Sequence, residues 1–228
     1  MNQVRISIDG HEIKAAEGQR LLWAALDNGF YITNLCAVKG EEPPWASCRL
    51  CFVEVGGVDS PVAACTQPVA DGMAVRLDTP KVRRLQRAAF ELLLSHHHLD
   101  CRRCARDRGC ALQDIARRLK FKLKLTRYRL VPRDLPVDSS HPLFVFDPNQ
   151  CVLCGKCIRV CQQQGTAVLD YAFRGIDTRV STFAGMPLAE TKCNSCLACV
   201  AVCPTAALVA RPAAESEIAA GSAGSGAD

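Results

Sequence analysis

Apolar and polar residues take turns over the first sixteen positions. In "VRISI" and "HEIKA" the period of two puts one set of side chains on each face of a strand. The Asp9-Gly10 dipeptide between them suits the positive φ angles of a tight hairpin turn. The period then lengthens: in "RLLWAALDNG", Leu21, Leu22, Ala25 and Leu26 recur at helical spacing, and Gly29 stands where a helix ends without Cβ strain. Three short β-type runs follow, "FVEVGGV", "PVAAC" and "MAVRL", punctuated by glycine and proline. Thr79-Pro80 reads as an N-cap with proline at the first helical position, opening a helix with Val82, Leu85, Ala89, Leu92 and Leu93 on one face. A shorter helix is expected over "ALQDIARRLK". The alternating "LKFKLKLTRYRL" favours an extended segment, and the Pro-, Asp- and Ser-rich stretch 132–148 reads as a linker. Past Leu208 the chain is small and polar, and a disordered tail is expected over 211–228.

Composition changes this picture at one residue type. Fifteen cysteines is an odd number, and a paired disulfide framework belongs to short secreted chains. "MNQVRISIDG" lacks the features of a signal peptide, and no run reaches the roughly 20 apolar residues of a membrane helix. The expectation is a cytoplasmic protein whose clustered thiols bind metal or carry redox chemistry.

Two stretches share one rhythm. "CVLCGKCIRVC" at 151–161 and "CNSCLACVAVC" at 193–203 each read C-x2-C-x2-C-x3-C, the second followed by Pro204, which is the bacterial two-cluster ferredoxin spacing. Three thiolates on a tight loop hold three corners of a cubane, and the fourth, one helical turn on, serves the neighbouring cubane. Cys151, Cys154, Cys157 and Cys203 are therefore assigned to one 4Fe-4S cluster, and Cys193, Cys196, Cys199 and Cys161 to another. Zinc, the competing reading of C-x2-C pairs, needs only four thiolates.

Cys36, Cys48, Cys51 and Cys65 have the spacing C-x11-C-x2-C-x13-C, a relative of the plant-type 2Fe-2S pattern with a longer first loop, zinc again competing. A hairpin, a helix and then cysteine loops between short strands is also the element order of the β-grasp ferredoxin fold. Three cysteines remain: Cys101, Cys104 and Cys110 in "HHHLDCRRCARDRGC". Imidazole is an acceptable iron ligand, so one of His96, His97 and His98 completes a third 4Fe-4S set.

"SCRLCFVEV", "HLDCRRCARDRGCALQD" and the paired repeat resemble the N-terminal iron-sulfur region of the largest peripheral subunit of respiratory complex I. Still more they resemble the diaphorase small subunit of bidirectional NAD-linked nickel-iron hydrogenases, and similar modules open iron-only hydrogenases and NAD-dependent formate dehydrogenases. In the complex I form the imidazole stands in H-x3-C-x2-C-x5-C, which implies His97, with His98 the alternative that hydrogenase small subunits suggest. The loop "CAVKGEEPPWASC" departs from the family by an added residue, without removing a ligand.

The expected fold class is α+β: a β-grasp 2Fe-2S domain over 1–78, a small helical His/Cys3 4Fe-4S domain over 79–131, and a two-cluster 4Fe-4S ferredoxin domain over 132–210. No G-x-G-x-x-G follows an expected strand, the similar "GSAGSG" lying in the tail, so no nucleotide site of its own is expected. The resemblance implies one 2Fe-2S and three 4Fe-4S clusters in an electron-transfer subunit of an NAD(P)-linked oxidoreductase. Its implied partners are a flavin- and NAD(P)-binding diaphorase subunit and a hydrogenase or formate dehydrogenase subunit. The alternatives are the same relay in a formate dehydrogenase or electron-bifurcating complex, or a free ferredoxin-like shuttle.

The net charge of +5 is unevenly spread. Residues 102–133 hold twelve Arg or Lys against Asp107 and Asp114. This segment either offsets the negative charge of clusters or docks an acidic partner. Without aromatic interleaving or a motif it does not point to nucleic acid.

Overall fold

The computed structural model describes residues 2–212, and the remainder of the expected tail lies outside the described residues. The chain divides after Leu93 into two compact units.

In the first unit, β1 (Gln3–Ile8) and β2 (His11–Ala16) form the expected antiparallel hairpin, with Ile8 opposite His11. Both turn residues take positive φ, 49° at Asp9 and 84° at Gly10. Helix α1 (Leu21–Asp27) follows, then β3 (Phe52–Val55), β4 (Val62–Ala63) and β5 (Ala74–Arg76). The sheet order is β2-β1-β5-β3-β4, with β1 parallel to β5 and the other pairs antiparallel. The alternation in β1 buries Val4, Ile6 and Ile8, which join Leu21, Leu22, Val53 and Val75 in one core. Each such aliphatic side chain contributes roughly 1.5–3 kcal/mol on burial. This mixed sheet with a packed helix matches the expected β-grasp architecture. Helix α2 spans Pro80–Ser95, and Thr79 Oγ1 accepts the Val82 amide at 3.2 Å, as an N-cap should.

The second unit has little regular structure. Helix α3 (Ala111–Leu119) ends at Lys120 in the left-handed conformation. Beyond it the alternation shows only as half-buried Phe121, Leu123 and Leu125 between exposed Lys122 and Lys124, with no strand pairing. Helices α4 (Lys156–Gln163) and α5 (Ala198–Val202) pack together. Two ribbons complete the unit: β6 (Phe144–Phe146) with the last strand, β9 (Leu208–Ala210), and β7 (Asp170–Ala172) with β8 (Arg179–Ser181).

Two expectations need correction. Residues 132–148 are more than a linker: β6 pairs with β9, Asp138 bridges Phe146, and His141, Phe144 and Phe146 are buried. Composition favoured a linker because it does not register that Asp138 accepts the Ser140 and Leu188 amides at 2.9 and 2.8 Å. Arg211, assigned above to the expected tail, is also bonded into this unit. The Arg211 amide donates to the Leu143 carbonyl at 2.8 Å, and its guanidinium donates to Ser139 and His141 carbonyls.

Candidate iron-sulfur sites

None of the fifteen cysteines forms a disulfide, and most are buried. They fall into the four groups that spacing separated.

In the first unit, Cys36, Cys48, Cys51 and Cys65 are all buried. They form two thiol pairs: the Cys36 and Cys48 sulfurs lie 3.4 Å apart, and Cys51 and Cys65 are linked in the same way. Within each pair one thiol donates to the other's sulfur. That bond from Cys48 holds Cys36 down at about 5 and drives Cys48 well up, and likewise Cys65 is lowered while Cys51 is raised. Each buried pair thus favours one thiolate at its partner's expense, and a cation bridging both sulfurs would relieve the conflict. Two pairs match a binuclear centre with two thiolates on each iron.

Arg20, which precedes α1, ties these loops together. Its Nε and Nη2 donate to both Glu42 carboxylate oxygens at 2.7 Å, a bidentate pair, and its Nη1 donates to the Thr66 carbonyl at 2.7 Å. Glu42 belongs to the Cys36–Cys48 loop, and Thr66 follows Cys65. Nothing in the spacing pointed to Arg20.

In the second unit, Cys101 opens a 3-10 turn, Cys104 follows it, and Cys110 caps α3. Burial pushes the Cys110 thiol up, and the nearby Cys104 and Cys101 sulfurs add to the rise. Of the three histidines, His97 is buried at 5% exposure, His96 is half-buried and His98 exposed. His97 Nδ1 donates to the Gln150 carbonyl at 3.1 Å, which leaves Nε2 as the ring's acceptor nitrogen. Burial also lowers its pKa, so the ring is neutral with a lone pair to offer a metal. A ligating imidazole anchored through its other nitrogen is the usual outer-shell arrangement.

The two repeats share backbone as well as spacing. Left-handed residues stand at matching positions, Leu153 and Gly155 in the first, Ser195 and Leu197 in the second. Each pair curls its loop back before the third cysteine enters a helix, Cys157 in α4 and Cys199 in α5. Electrostatic neighbours cross between the runs: Cys157 feels Cys151, Cys154 and Cys203, whereas Cys199 feels Cys193, Cys196 and Cys161. Burial, followed by the neighbouring sulfurs, pushes Cys151 and Cys199 up to about 12. Cys151, Cys154, Cys157 and Cys203 also line one apolar cavity with Phe146, Val180 and Leu208. Protonated, these thiols crowd a dry pocket; as thiolates they need a cationic core. The donor sets therefore fit iron-sulfur clusters. Among the described residues no three His, Cys, Asp or Glu side chains converge closely enough to hold a single ion.

Two links join the Cys101–Cys110 group to the Cys151 set. The Gln150 carbonyl accepts both His97 Nδ1 and the Thr205 hydroxyl, the latter at 2.8 Å. The Ala111 amide, next to Cys110, donates to the Pro204 carbonyl, next to Cys203, at 3.0 Å. In the other cubane set, Cys196 is exposed.

Known iron-sulfur families match three stretches of the chain. Residues 1–80 match a 2Fe-2S iron-sulfur cluster binding domain, 86–122 the NADH-ubiquinone oxidoreductase-G iron-sulfur binding region, and 150–207 a 4Fe-4S dicluster domain. The NADPH-Fe(3+) oxidoreductase subunit alpha of Geobacter sulfurreducens is 37% identical over 92% of this chain and 24% of its own. The NADP-reducing hydrogenase subunit HndD of Solidesulfovibrio fructosivorans is 34% identical over 92% of this chain and 36% of its own. The chain thus spans about a quarter to a third of these relatives' length. A chain of an NAD+-reducing [NiFe]-hydrogenase superposes with a TM-score of 0.83 at 30% identity, covering 92% of this chain and 88% of that one. No helix among the described residues is long and apolar enough to cross a membrane. The paired thiols, the crossed repeats and these matches together make this an iron-sulfur electron-transfer chain, and it belongs to the family represented by that NAD+-reducing [NiFe]-hydrogenase chain.

Proposed function

We propose that this chain is the electron relay of an NAD(P)-linked oxidoreductase, carrying one 2Fe-2S and three 4Fe-4S clusters and no substrate-converting site of its own. Cys36, Cys48, Cys51 and Cys65 would hold the 2Fe-2S centre; His97, Cys101, Cys104 and Cys110 the first 4Fe-4S centre; and the two crossed sets the others. The corresponding domains are 1–78, 79–131 and 132–210. The clusters would supply reversible one-electron storage, while the chain supplies the thiolates and the imidazole that hold them.

The observation that carries this reading is the crossing of the repeats, Cys203 beside the first run and Cys161 beside the second. Structural zinc sites are built from separated ligand pairs, whereas two crossed C-x2-C-x2-C-x3-C runs are the spacing of a two-cluster ferredoxin. The His97–Gln150–Thr205 and Ala111–Pro204 links support direct succession between the His-ligated centre and the Cys151 set. Exposed Cys196 supports the remaining cubane as the point of exchange with a partner.

The partners are a flavin- and NAD(P)-binding diaphorase subunit and a hydrogenase or formate dehydrogenase subunit, with electrons entering at the ferredoxin-like repeat and leaving toward the flavin. Named relatives include an NADP-reducing hydrogenase subunit and a putative formate dehydrogenase, which supports either terminal oxidoreductase.

The anaerobically prepared chain should contain about fourteen iron atoms and give four separable EPR signals on reduction. Zinc, or only a few iron atoms per chain, would sink the reading. His97→Ala should change the spectrum of one 4Fe-4S centre alone, whereas His98→Ala should leave all four unchanged.

A further inference from the structure

Arg133 is a half-buried cation whose inward-facing atoms have nothing to donate to. Its Nε and Nη1 are out of solvent and make no hydrogen bond. A guanidinium left so is heavily penalised unless an anion meets it. Burial, and to a smaller extent Arg179, pulls its pKa down, while Cys151 and Asp177 act to raise it. The relation with Cys151 is mutual, since Arg133 acts to lower the pKa of that thiol. Arg133 lies between Pro132 and Asp134 along the rim of a cavity shared with His96, Asp147 and Asn149. Asn149 is held in place: its side-chain amide donates to the Leu135 carbonyl at 2.8 Å, and its Oδ1 accepts the Leu135 amide at 2.9 Å. These bonds tie Leu135, two residues after Arg133, to Asn149, two residues before Cys151.

We propose that Arg133 is the built-in counter-charge of the cluster held by Cys151, Cys154, Cys157 and Cys203, with Nε and Nη1 donating to its sulfur. The proposal rests on the ligand assignment above and adds a tuning residue to it. A cubane with four thiolates is anionic and gains one negative charge on reduction, so a fixed guanidinium stabilises the reduced form more than the oxidised and raises the potential. Within the basic segment 102–133 this separates Arg133 from exposed Arg102, Arg103, Arg117 and Arg118, which face solvent.

The test is an EPR-monitored redox titration of the assembled chain with Arg133→Met and Arg133→Lys. At the potential where that cluster is half reduced in the unsubstituted chain, Arg133→Met should lower its reduced-to-oxidised ratio about tenfold, which is 59 mV for one electron. Arg133→Lys should restore most of the loss, and the other clusters should stay in place. An unmoved potential at full iron content overturns the proposal, as does an equal shift of all clusters. Should Arg133→Met fail to assemble, the unsubstituted chain labelled with 15N-arginine decides the matter. Pulsed EPR of this cluster should show a guanidinium 15N coupling that disappears in Arg133→Lys, and its absence overturns the proposal. Lack of that cluster's signal in the unsubstituted chain would instead sink the ligand assignment, leaving the role of Arg133 without a cluster to tune.

Discussion

The two units hold sulfur in opposite ways. In the first, Ile6, Ile8, Leu21, Leu22, Val53 and Val75 build a core with a five-stranded sheet, and the four thiols sit in loops, Cys51 and Cys65 packed into that core. In the second, helices of eight and five residues and ribbons of three-residue strands surround buried thiols. A five-residue helix has no stability of its own, so beyond a small apolar core that includes Phe144, Ile158, Leu188 and Leu208 the proposed cluster ligands would carry much of the fold. Binding a cluster is then largely the same event as folding, whereas in the first unit it is closer to decoration.

Stripping iron anaerobically with a chelator should therefore have the largest and most lopsided effect. The coupling of metal binding to folding in small zinc domains is on the order of 10 kcal/mol, enough to unfold the second unit while the first survives. Hydrogen exchange read by mass spectrometry should show α4, α5, β6 and β9 losing protection while β1, β2 and β5 keep most of theirs. Equal loss in both units would break the comparison.

Single thiols should repeat the contrast on a smaller scale. Cys203→Ser removes a ligand from the cubane and from a wall of the apolar cavity it lines. It should cost about four iron atoms and much of the protection of α5. Cys51→Ser should cost about two iron atoms while circular dichroism of the sheet barely changes. Iron content and spectra of the two variants side by side provide the check.

Sequence and structure agree where physics is local. The β1–β2 hairpin follows from alternation plus Asp9-Gly10 and the start of α2 from Thr79-Pro80, because each signal lies within a few residues, while sulfur spacing is what carries the proposed ligand sets. The features that escaped depend on partners far along the chain. Asp138 reads as loop until its bond to the Leu188 amide is known. Arg133 reads as one more charge in a basic run. Arg20 looks like an ordinary surface residue before a helix, although it joins two cysteine loops. The left-handed Leu153, Ser195 and Leu197 could not be read either, since non-glycine residues adopt that conformation only when surroundings impose it. The β7–β8 ribbon likewise carries no strong alternation.

Arg20 offers the next test, because it joins two cysteine loops in the unit expected to stay folded without its cluster. Arg20→Gln removes a bidentate charge-assisted pair and a third hydrogen bond from a partly exposed site. The cost to stability should be about 1–2 kcal/mol after solvent screening. The sheet should stay folded, and the larger effect should be faster loss of the 2Fe-2S signal in air. Arg20→Lys cannot make the planar fork and should fall between. A melting loss without faster bleaching would show that Arg20 steadies α1 alone.

The smallest effect should come from the corresponding pin in the second unit. Burial raises the Asp138 carboxyl, but hydrogen bonds from Ser140 and the Leu188 amide outweigh it, and its pKa falls below the ordinary carboxylate value. A group lowered on folding contributes its full stability above its unfolded pKa, about 3.9, and loses it only as pH drops through the folded value. Asp138→Asn, whose amide nitrogen cannot accept the Leu188 N–H, should cost on the order of 1 kcal/mol. The penalty in anaerobic melts should be flat from pH 6 to 8. Its neighbour His141 would behave differently. Burial lowers its pKa against the pull of Asp138, its Nδ1 accepts the Leu143 amide, and its Nε2 donates to Ser195 in the second cysteine loop. Protonation would break the Leu143 bond, so a penalty that changes as pH falls below the ordinary imidazole range would transfer the pinning role from the carboxylate to the imidazole.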